Sequence, residues 1–533
     1  MKKIFAILSA AALLASAGCS KDFLETNPTD KTSGPVIFES GESALVALNG
    51  IYRLMYSGGW TDGWEAENGG LAAYNMLFDL YAEDHIMDSA GSGWFYYDYA
   101  YNTWTDYEHT AGHSYGVWNF FYTLVCNANY IIANEADLDE TAGDYKTWQY
   151  VLGQAYSIRA FSYMWLVQAY QQNGGAAGSE TRNLPGVPLY SEPTVAGTVG
   201  KGRGTVQDVY TQSNSDIDKA IDMLKQSGMA QQHISHIGLN VAYGLKARFA
   251  LVQRDYATAL EAAENAMAGT TVAEGSSIAH INDATASNVM WGLAIQKDHS
   301  ISSWDIYSHM DADSKSTYSK ARHLIGNWLY NQIPEGDARL AWWTAPLPEE
   351  EWGAAGSAEG SKRSWCQKKL VWKDAATTEG DHVIMRGEEI YLMAAEAACH
   401  LQQYGKAKTY IKKIGDNRMG EDAYAARLAK FTESSEYNED TVGKLTTLMD
   451  EILFQRRVEL WGELPRMFDL QRLDLGFHRD WEDSNHTELL NKSKFITTAH
   501  SPQFILWLPQ SEFDGNENMD SALDQNPSFQ PAN

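Results

Sequence analysis

One short segment of this 533-residue chain is unusually rich in aromatic side chains. Eight rings fall within the fourteen residues 94–107, with Asp, Asn and Thr between them. An exposed aromatic ring can stack on the C–H face of a sugar, whose hydroxyl groups then need polar partners. The segment therefore predicts a carbohydrate-binding surface, and we select Trp94, Tyr96 and Trp104 as the rings that contact the ligand.

Core packing is the alternative explanation of the same segment. Tyr97, Tyr99 and Tyr101 occur at every second position, which is the spacing of side chains on one face of a β-strand. Under this alternative these rings fill the core. Trp291, in the apolar run 289–295, is likewise interpreted as part of a buried strand.

The sequence contains no motif typical of a zinc protease, a serine hydrolase or a cysteine enzyme. Residues 311–316 begin like a calcium-binding loop but lack its glycine and its closing glutamate. The glycine-rich stretch 200–204 lacks the Lys-Ser/Thr end of a phosphate-binding loop. We therefore predict no catalytic residue, no metal ligand and no cofactor. A glycoside hydrolase stays open as an alternative, because its two carboxylates need only meet in space and the chain has 69 acidic residues.

The N-terminus has the layout of a secretory signal. Lys2 and Lys3 precede the apolar run 4–14, and small residues lead to Cys19. We predict a lipoprotein signal peptide at 1–18, with Cys19 as the lipidated first residue of the mature protein. The alternative is a plain signal with an incidental cysteine. The apolar run is shorter than the ~20 residues that a spanning helix needs, so acyl chains would attach the protein to the membrane.

Charge and cysteine content restrict the partners and the source of stability. The formal net charge is −28, whereas binding to nucleic acid depends on clustered Lys and Arg. Nucleic acid is therefore excluded, while a neutral sugar meets no such repulsion. Beyond Cys19 only Cys126, Cys366 and Cys399 remain, an odd number in an exported protein. No disulfide framework is predicted, and the fold must depend on its hydrophobic core.

Helical periodicity dominates the folded body, which begins near residue 40. Apolar residues recur with helical spacing in the segments 114–134, 145–172, 205–227, 237–268, 383–418 and 441–461. Small residues stand twelve positions apart in two of these segments, from Ala247 to Ala259 and from Ala395 to Ala407. This spacing predicts antiparallel helices that cross closely, as in tetratricopeptide repeats. Two ordinary helical hairpins are the alternative.

The stretches between the helices are too long to be simple connections in a compact domain. They are rich in aromatic residues and glycine and are predicted to be functional loops. These stretches are 56–113, 173–204, 270–382 and 462–533.

Several segments, taken in order, resemble the SusD/RagB family of outer-membrane nutrient-binding lipoproteins. The strongest is Arg456-Arg457-Val-Glu459-Leu, which is similar to the family's Arg-Arg-x-Glu-Leu signature. The resemblance runs from the lipoprotein cysteine nearly to the end of the chain. The segments that carry it are 19–25, 153–163, 184–189, 205–220, 386–397, 452–472, 508–512 and 525–527.

The resemblance implies a mainly α fold, in which about four tetratricopeptide helix pairs form a scaffold and a large, irregular, loop-rich subdomain carries the ligand site. It divides the chain into a lipidated tether at 19–40, a SusD-like N-terminal part at 41–230 and a RagB/SusD C-terminal part at 231–533. Charges on a packed helix must be paired, so a second group of residues is predicted to be structural. This group is Arg456, Arg457, Glu459, Arg466 and Asp469.

The resemblance also implies a surface-exposed, lipid-anchored protein of the outer membrane. Such a protein captures an oligosaccharide or polysaccharide and delivers it to a SusC-like TonB-dependent transporter; a peptide receptor of the same family is the alternative. The family's site draws on the aromatic middle region of the chain. The second candidates for ring contacts are therefore Trp304, Tyr307, Trp342 and Trp343. The predicted polar partners of the ligand are Asp84, Asn102 and Arg339.

Overall fold

The computed structural model describes residues 37–61, 63, 65–101, 112–274, 278–296, 301, 304–488 and 494–527. The regular structure in these residues is mainly helical, as the sequence predicts. The α-helices are α1 Gly41–Leu54, α2 Leu71–Leu80, α3 Tyr96–Tyr99, α4 His113–Ile132, α5 Tyr145–Tyr170, α6 Val206–Ser227, α7 Leu239–Val252, α8 Tyr256–Ala266, α9 Ile306–Met310, α10 Asn327–Gln332, α11 Gly387–His400, α12 Tyr404–Met419, α13 Glu421–Leu428, α14 Leu448–Glu459, α15 Arg466–Arg472, α16 Gln510–Gly515 and α17 Ser521–Asp524. The strands are β1 His85–Met87, β2 Val289–Leu293, β3 His323–Ile325 and β4 His382–Arg386.

The long helix α5 lies at the centre of the scaffold. Every residue from Trp148 to Tyr170 is buried, so α5 has neighbours on all sides rather than one amphipathic face. It packs against α1, α4 and α6. Gly153 permits the close approach to α6, because a Cβ at this position would lie 2.8 Å from Leu224 Cγ.

The two alanine-spaced segments form neighbouring helical hairpins. Helix α7 packs on α8, α11 packs on α12, and α8 also contacts α11. The four alanines that defined the spacing, Ala247, Ala259, Ala395 and Ala407, are completely buried. The prediction of closely crossing helices is therefore confirmed, and these hairpins continue the stack formed by α1, α4, α5 and α6.

Helix α6 begins with a reciprocal cap. The Thr205 hydroxyl accepts from Asp208 N–H, and the Asp208 carboxylate accepts from Thr205 N–H. Both backbone donors would otherwise lack a partner at the helix start. The same arrangement of Thr447 and Asp450 begins α14.

The residues between α8 and α11 form the irregular part of the molecule. Strands β2, β3 and β4 lie here: β2 pairs with β4, and β3 pairs with β1 from the segment after α2, each pair antiparallel. Trp291 in β2 is completely buried, and its Nε1 donates to Ser235 O at 3.0 Å. The prediction of a buried strand at Trp291 is confirmed.

A buried ionic network joins α14 to the irregular part. The Glu459 carboxylate forms ion pairs with the guanidinium groups of Arg339, Arg386 and Arg418, and all four side chains are buried. Arg386 also pairs with Glu463 at 2.7 Å. Because a buried charge must be paired, these contacts confirm the structural role predicted for Glu459.

The other predicted structural charges are paired as well. Their ion pairs are Arg456 with Asp469, Arg457 with Asp84 and Arg466 with Glu83. Asp84 and Glu83 follow α2, so these pairs connect the N-terminal loops to α14 and α15.

The core-packing alternative for Tyr97, Tyr99 and Tyr101 depended on strand spacing, and the structure has no strand at these residues. Residues Tyr96–Tyr99 form the short helix α3, although Tyr99 and Tyr101 are buried as core rings. Contacts distant in sequence hold them there: Tyr99 Oη lies 2.7 Å from His486 Nδ1, and Tyr101 stacks on Phe477. Tertiary packing, rather than strand pairing, therefore buries these rings.

Two further features bear on the sequence predictions. Cys366 and Cys399 are buried, Cys126 is half-buried, and all three are free thiols.

Among the residues that the structure describes, no helix is both long enough and apolar enough to cross a membrane.

Candidate functional site

An open cleft of about 560 Å³ lies in the irregular part of the molecule. We call it the Trp352 cleft. It lies between the loop 346–349 with Trp352, the segment 363–365 and the C-terminal loop 483–486. The cleft is thus assembled from segments that are distant in sequence.

Backbone pairing fixes the Trp365 side of the cleft. The Ile325 N–H of β3 donates to Trp365 O at 3.1 Å, and Trp365 N–H donates to Thr344 O at 2.8 Å. Trp365 has a φ of +63°, a left-handed conformation that bulky residues rarely adopt. Its buried Nε1 has no hydrogen-bond partner among the described residues. Backbone strain and an unpaired donor at one residue are features that concentrate at functional sites.

Trp352 and Arg363 form the second side of the cleft. The Arg363 guanidinium lies 3.4 Å from the centre of the Trp352 ring, and Trp352 Nε1 donates to Leu347 O at 3.2 Å. Burial lowers the pKa of Arg363, and Asp88, 3.6 Å from its Nε, opposes this shift. Arg363 therefore holds the indole through a cation–π contact, while Trp352 remains partly exposed.

The loop 483–486 forms the third side. Asn485 is fixed by two hydrogen bonds: its Oδ1 accepts from Asn327 N–H at 2.8 Å, and its Nδ2 donates to Ile325 O at 3.0 Å. Burial lowers the pKa of His486 well below its ordinary value, so the ring is neutral, and its Nε2 lies 3.0 Å from Glu83 O. This loop is thereby attached to the same strand, β3, that carries the Trp365 segment.

The arrangement suits a sugar ligand. Trp352 and Trp365 are partly exposed rings that can stack on a pyranose, and Glu349 and Asp483 are exposed carboxylates that can accept from its hydroxyl groups. The volume lies within the range of pockets that bind small molecules.

Two of the predicted rings of the aromatic segment are half-buried. Trp94 packs against Tyr318, with 5.9 Å between the ring centres, and Tyr96 packs against Tyr97. Trp104 and Asn102 lie outside the described residues, as does the predicted lipidation site Cys19.

Arg322 connects the aromatic segment to the Trp352 cleft. Its Nε pairs with Asp88 at 2.6 Å, and its Nη1 donates to Gly353 O at 3.0 Å. Asp88 precedes the aromatic segment, and Gly353 follows Trp352. Arg322 thus links the residues just before the aromatic segment to the Trp352 side of the cleft through partly buried contacts.

The predicted rings of the middle region differ in exposure. Trp304 is 37% exposed and available to a ligand. Tyr307, Trp342 and Trp343 are buried; Tyr307 Oη donates to Asp381 O, and Trp342 Nε1 donates to Ile278 O. The expectation that these three rings contact a ligand is not supported by their positions, because they fill the core.

Two of the predicted polar partners are also used internally. Asp84 is buried and pairs with Arg457 at 2.6 Å. Arg339 is completely buried and pairs with Asp337 at 2.7 Å and with Glu459 at 3.2 Å. Both charges are compensated within the protein, and both side chains are buried.

Sequence reasoning missed Trp352, Arg363 and Trp365. They fall in the stretch 270–382 that was predicted to be a functional loop, but no periodicity or motif distinguishes them from the buried pair Trp342 and Trp343. The left-handed backbone and the pairing with β3 become visible only in the folded chain.

Two family models match the chain. One, described as "SusD family", matches residues 354–529, and the other, described as "Starch-binding associating with outer membrane", matches residues 63–251. Together the two matches cover more than half of the chain. No curated protein sequence matches it.

Several solved structures have a similar fold. A SusD-like carbohydrate-binding protein from Bacteroides vulgatus is 21% identical, with a TM-score of 0.71 over 90% of this chain and 98% of that chain. A SusD superfamily protein from Bacteroides thetaiotaomicron is 22% identical, with a TM-score of 0.72 over 92% and 100%. Surface glycan-binding protein A from Bacteroides uniformis is 15% identical, with a TM-score of 0.63 over 91% and 99%. The likeness confirms the predicted fold, a helical-repeat scaffold with an irregular part.

Proposed function

The chain belongs to the SusD family, and from this premise we propose that it is a glycan-binding receptor of the outer membrane. The observation that carries the proposal is the Trp352 cleft, where two partly exposed indole rings lie beside exposed carboxylates. The family model over residues 63–251 is described as starch-binding and associated with the outer membrane. Two proteins of similar fold are named as carbohydrate-binding or glycan-binding.

In this proposal a pyranose ring stacks on Trp352 or Trp365 while its hydroxyl groups donate to Glu349 or Asp483. The net gain from each hydrogen bond is small, because every hydroxyl group exchanges a water molecule for a protein partner. A ligand that reaches both indole rings is therefore favoured over a single sugar. An oligosaccharide or polysaccharide is the ligand class that we assign to the cleft.

We further propose that acyl chains on Cys19 hold the receptor on the cell surface and that it passes its ligand to a TonB-dependent transporter. Two or more acyl chains give stable anchoring, whereas one gives only marginal attachment. Mass spectrometry of the mature N-terminus tests the anchor. An unmodified N-terminal residue other than Cys19 would contradict it.

Affinity electrophoresis through gels that contain a panel of polysaccharides tests the glycan assignment. We expect one polysaccharide to retard the protein that lacks its first nineteen residues. Trp352→Ala should weaken the interaction about tenfold or more, because buried aromatic contacts dominate such interfaces. The matched control is Tyr130→Ala, which removes a ring that is 39% exposed on α4, outside the cleft; it should leave retardation unchanged.

Further variants separate the competing sites and functions. Trp94→Ala and Trp304→Ala test the predicted rings that the fold leaves accessible, and a loss confined to these variants would move the site away from the Trp352 cleft. Binding of peptides without retardation by any polysaccharide would favour a peptide receptor. Release of reducing sugar from the retarded polysaccharide would favour a glycoside hydrolase.

A further inference from the structure

A buried cluster of three side chains lies beside the aromatic segment and outside the Trp352 cleft. Glu67 ends the 3₁₀ turn Glu65–Glu67, Asp98 belongs to α3, and His113 is the first residue of α4. All three are more than nine-tenths buried. One potential ligand atom from each lies within 4.8 Å of those of the other two.

Two atoms of this cluster face each other without hydrogen-bond partners. Glu67 Oε2 and His113 Nε2 are buried and unpartnered among the described residues, and 3.6 Å separates them. This distance is too long for a hydrogen bond. It is close to the roughly 3.4 Å expected between two ligand atoms of a tetrahedral zinc ion. The two atoms are therefore spaced for a shared cation.

The other ring nitrogen of His113 contacts a carboxylate, as is common for histidines that bind a metal ion. His113 Nδ1 lies 2.8 Å from Asp98 Oδ1, which also accepts from Tyr81 Oη at 3.1 Å. A carboxylate at Nδ1 keeps the proton on that nitrogen, so a metal ion can replace the proton of Nε2. Glu67 is fixed in a similar way, because its Oε1 accepts from Phe95 N–H.

We propose that this cluster binds a first-row divalent cation such as zinc, with Glu67 Oε2 and His113 Nε2 as direct ligands. Asp98 acts as the residue that positions His113. A set that contains an imidazole nitrogen favours zinc, copper, iron or nickel over calcium and magnesium, which prefer oxygen ligands alone. The ion would connect three chain segments next to Trp94 and Tyr96. The inference does not depend on the proposed glycan binding.

Metal content and cobalt spectroscopy test the site on the mature chain. After chelation and dialysis, we expect the protein to bind one Co²⁺ or Zn²⁺ per chain, with a visible absorption band in the cobalt form. Glu67→Gln and His113→Gln should remove this band. Asp98→Asn should lower the affinity by about 10–100-fold while the band at saturating cobalt keeps its shape, because the direct ligands remain.

A surface histidine supplies the matched control. His478 lies 3.3 Å from Asp440 and is partly exposed, so His478→Gln removes a His–carboxylate pair that could take up metal nonspecifically. This variant should bind cobalt like the wild type. Loss of the band in His478→Gln, with retention in Glu67→Gln, would place the metal on the surface and overturn the proposal.

The Glu67→Gln variant is expected to fold. Gln has nearly the same shape as Glu, and its amide oxygen can still accept from Phe95 N–H. Circular dichroism without metal should match the wild type. If the wild type binds no more cobalt or zinc than Glu67→Gln does, the cluster is an ion triad of protonated His113 and two carboxylates, and the proposal fails.

Discussion

The helical scaffold and the irregular part of the molecule are stabilised in different ways. In the scaffold, helices cross at buried small residues such as Ala247 and Ala395, and apolar contact provides the stability. In the irregular part, buried charges hold the loops: Lys369 Nζ donates to Glu459 O and Trp461 O, each at 2.8 Å. We therefore expect the scaffold to be sensitive to volume added at its close helix contacts, and the irregular part to be sensitive to the loss of a buried charge.

The largest effect is expected where a charge is removed from the network between the two regions. Glu459→Gln keeps the shape of the side chain but leaves Arg339, Arg386 and Arg418 without their shared carboxylate. Breaking a buried ion pair on one side costs about 3–5 kcal/mol. Urea unfolding should show a loss of this size in the free energy of unfolding.

An exposed ion pair provides the control for Glu459→Gln. Asp416 pairs with Lys412 on the surface of α12, and such pairs contribute about 0.3–0.5 kcal/mol. Asp416→Asn should therefore change the free energy of unfolding by no more than this. Equal losses in the two variants would contradict the special role of charge in the irregular part.

Lowering the pH should remove part of the stability that the Glu459 carboxylate provides. Burial by itself raises the pKa of Glu459, but Arg418 and Arg386 outweigh it and hold the pKa well below its usual range. A depressed folded-state pKa gives stability that is complete above the unfolded-state value of about 4.3 and is lost as the pH falls below it. Between about pH 5 and pH 3, the free energy of unfolding should fall more steeply in the wild type than in Glu459→Gln. Parallel curves would assign the acid sensitivity to other carboxylates.

A smaller loss is expected when volume is added to the scaffold. Gly415 of α12 lies directly against the buried ring of Tyr424, and a Cβ at this position would overlap the ring. Overpacking costs about 1–3 kcal/mol, so Gly415→Ala should lower the free energy of unfolding by that amount, measured with urea.

The same helix provides a matched control. Gly405 also lies in α12, but no atom lies within 4 Å of a Cβ there. Gly405→Ala should leave stability unchanged or raise it by about 0.5–1 kcal/mol, because alanine loses less backbone entropy on folding than glycine does. A similar loss in both variants would contradict close packing at Gly415 as the cause, because helix propensity favours alanine at both positions.

The same contrast explains which features the sequence could predict. The scaffold helices follow from local patterns: helical spacing placed α5 and α6 almost to the residue. Helix crossing was predictable from the spacing of Ala247 and Ala259, because small residues let two antiparallel helices approach closely.

The candidate site could not be predicted in this way. Trp342 and Trp352 look alike in sequence, and only the fold buries the first against Ile278 O and leaves the second partly exposed beside Arg363. The sequence predicts Arg339 as a ligand contact, but in the fold its charge is paired with Asp337 and Glu459. Exposure and pairing depend on contacts between distant segments, about which local spacing says nothing.

The smallest effect on stability is expected inside the Trp352 cleft. Glu349 is exposed there, and substitutions at exposed positions without special contacts usually change the free energy of unfolding by less than about 0.5 kcal/mol. Glu349→Gln should stay within this limit in urea unfolding, yet weaken retardation by the bound polysaccharide, because an amide accepts hydroxyl hydrogen bonds less strongly than a carboxylate does. A large loss of stability would show that Glu349, like the buried charges around Glu459, helps to hold the irregular part together. Unchanged stability with weaker binding would instead show that Glu349 acts in ligand binding, whereas the buried charges act in stability.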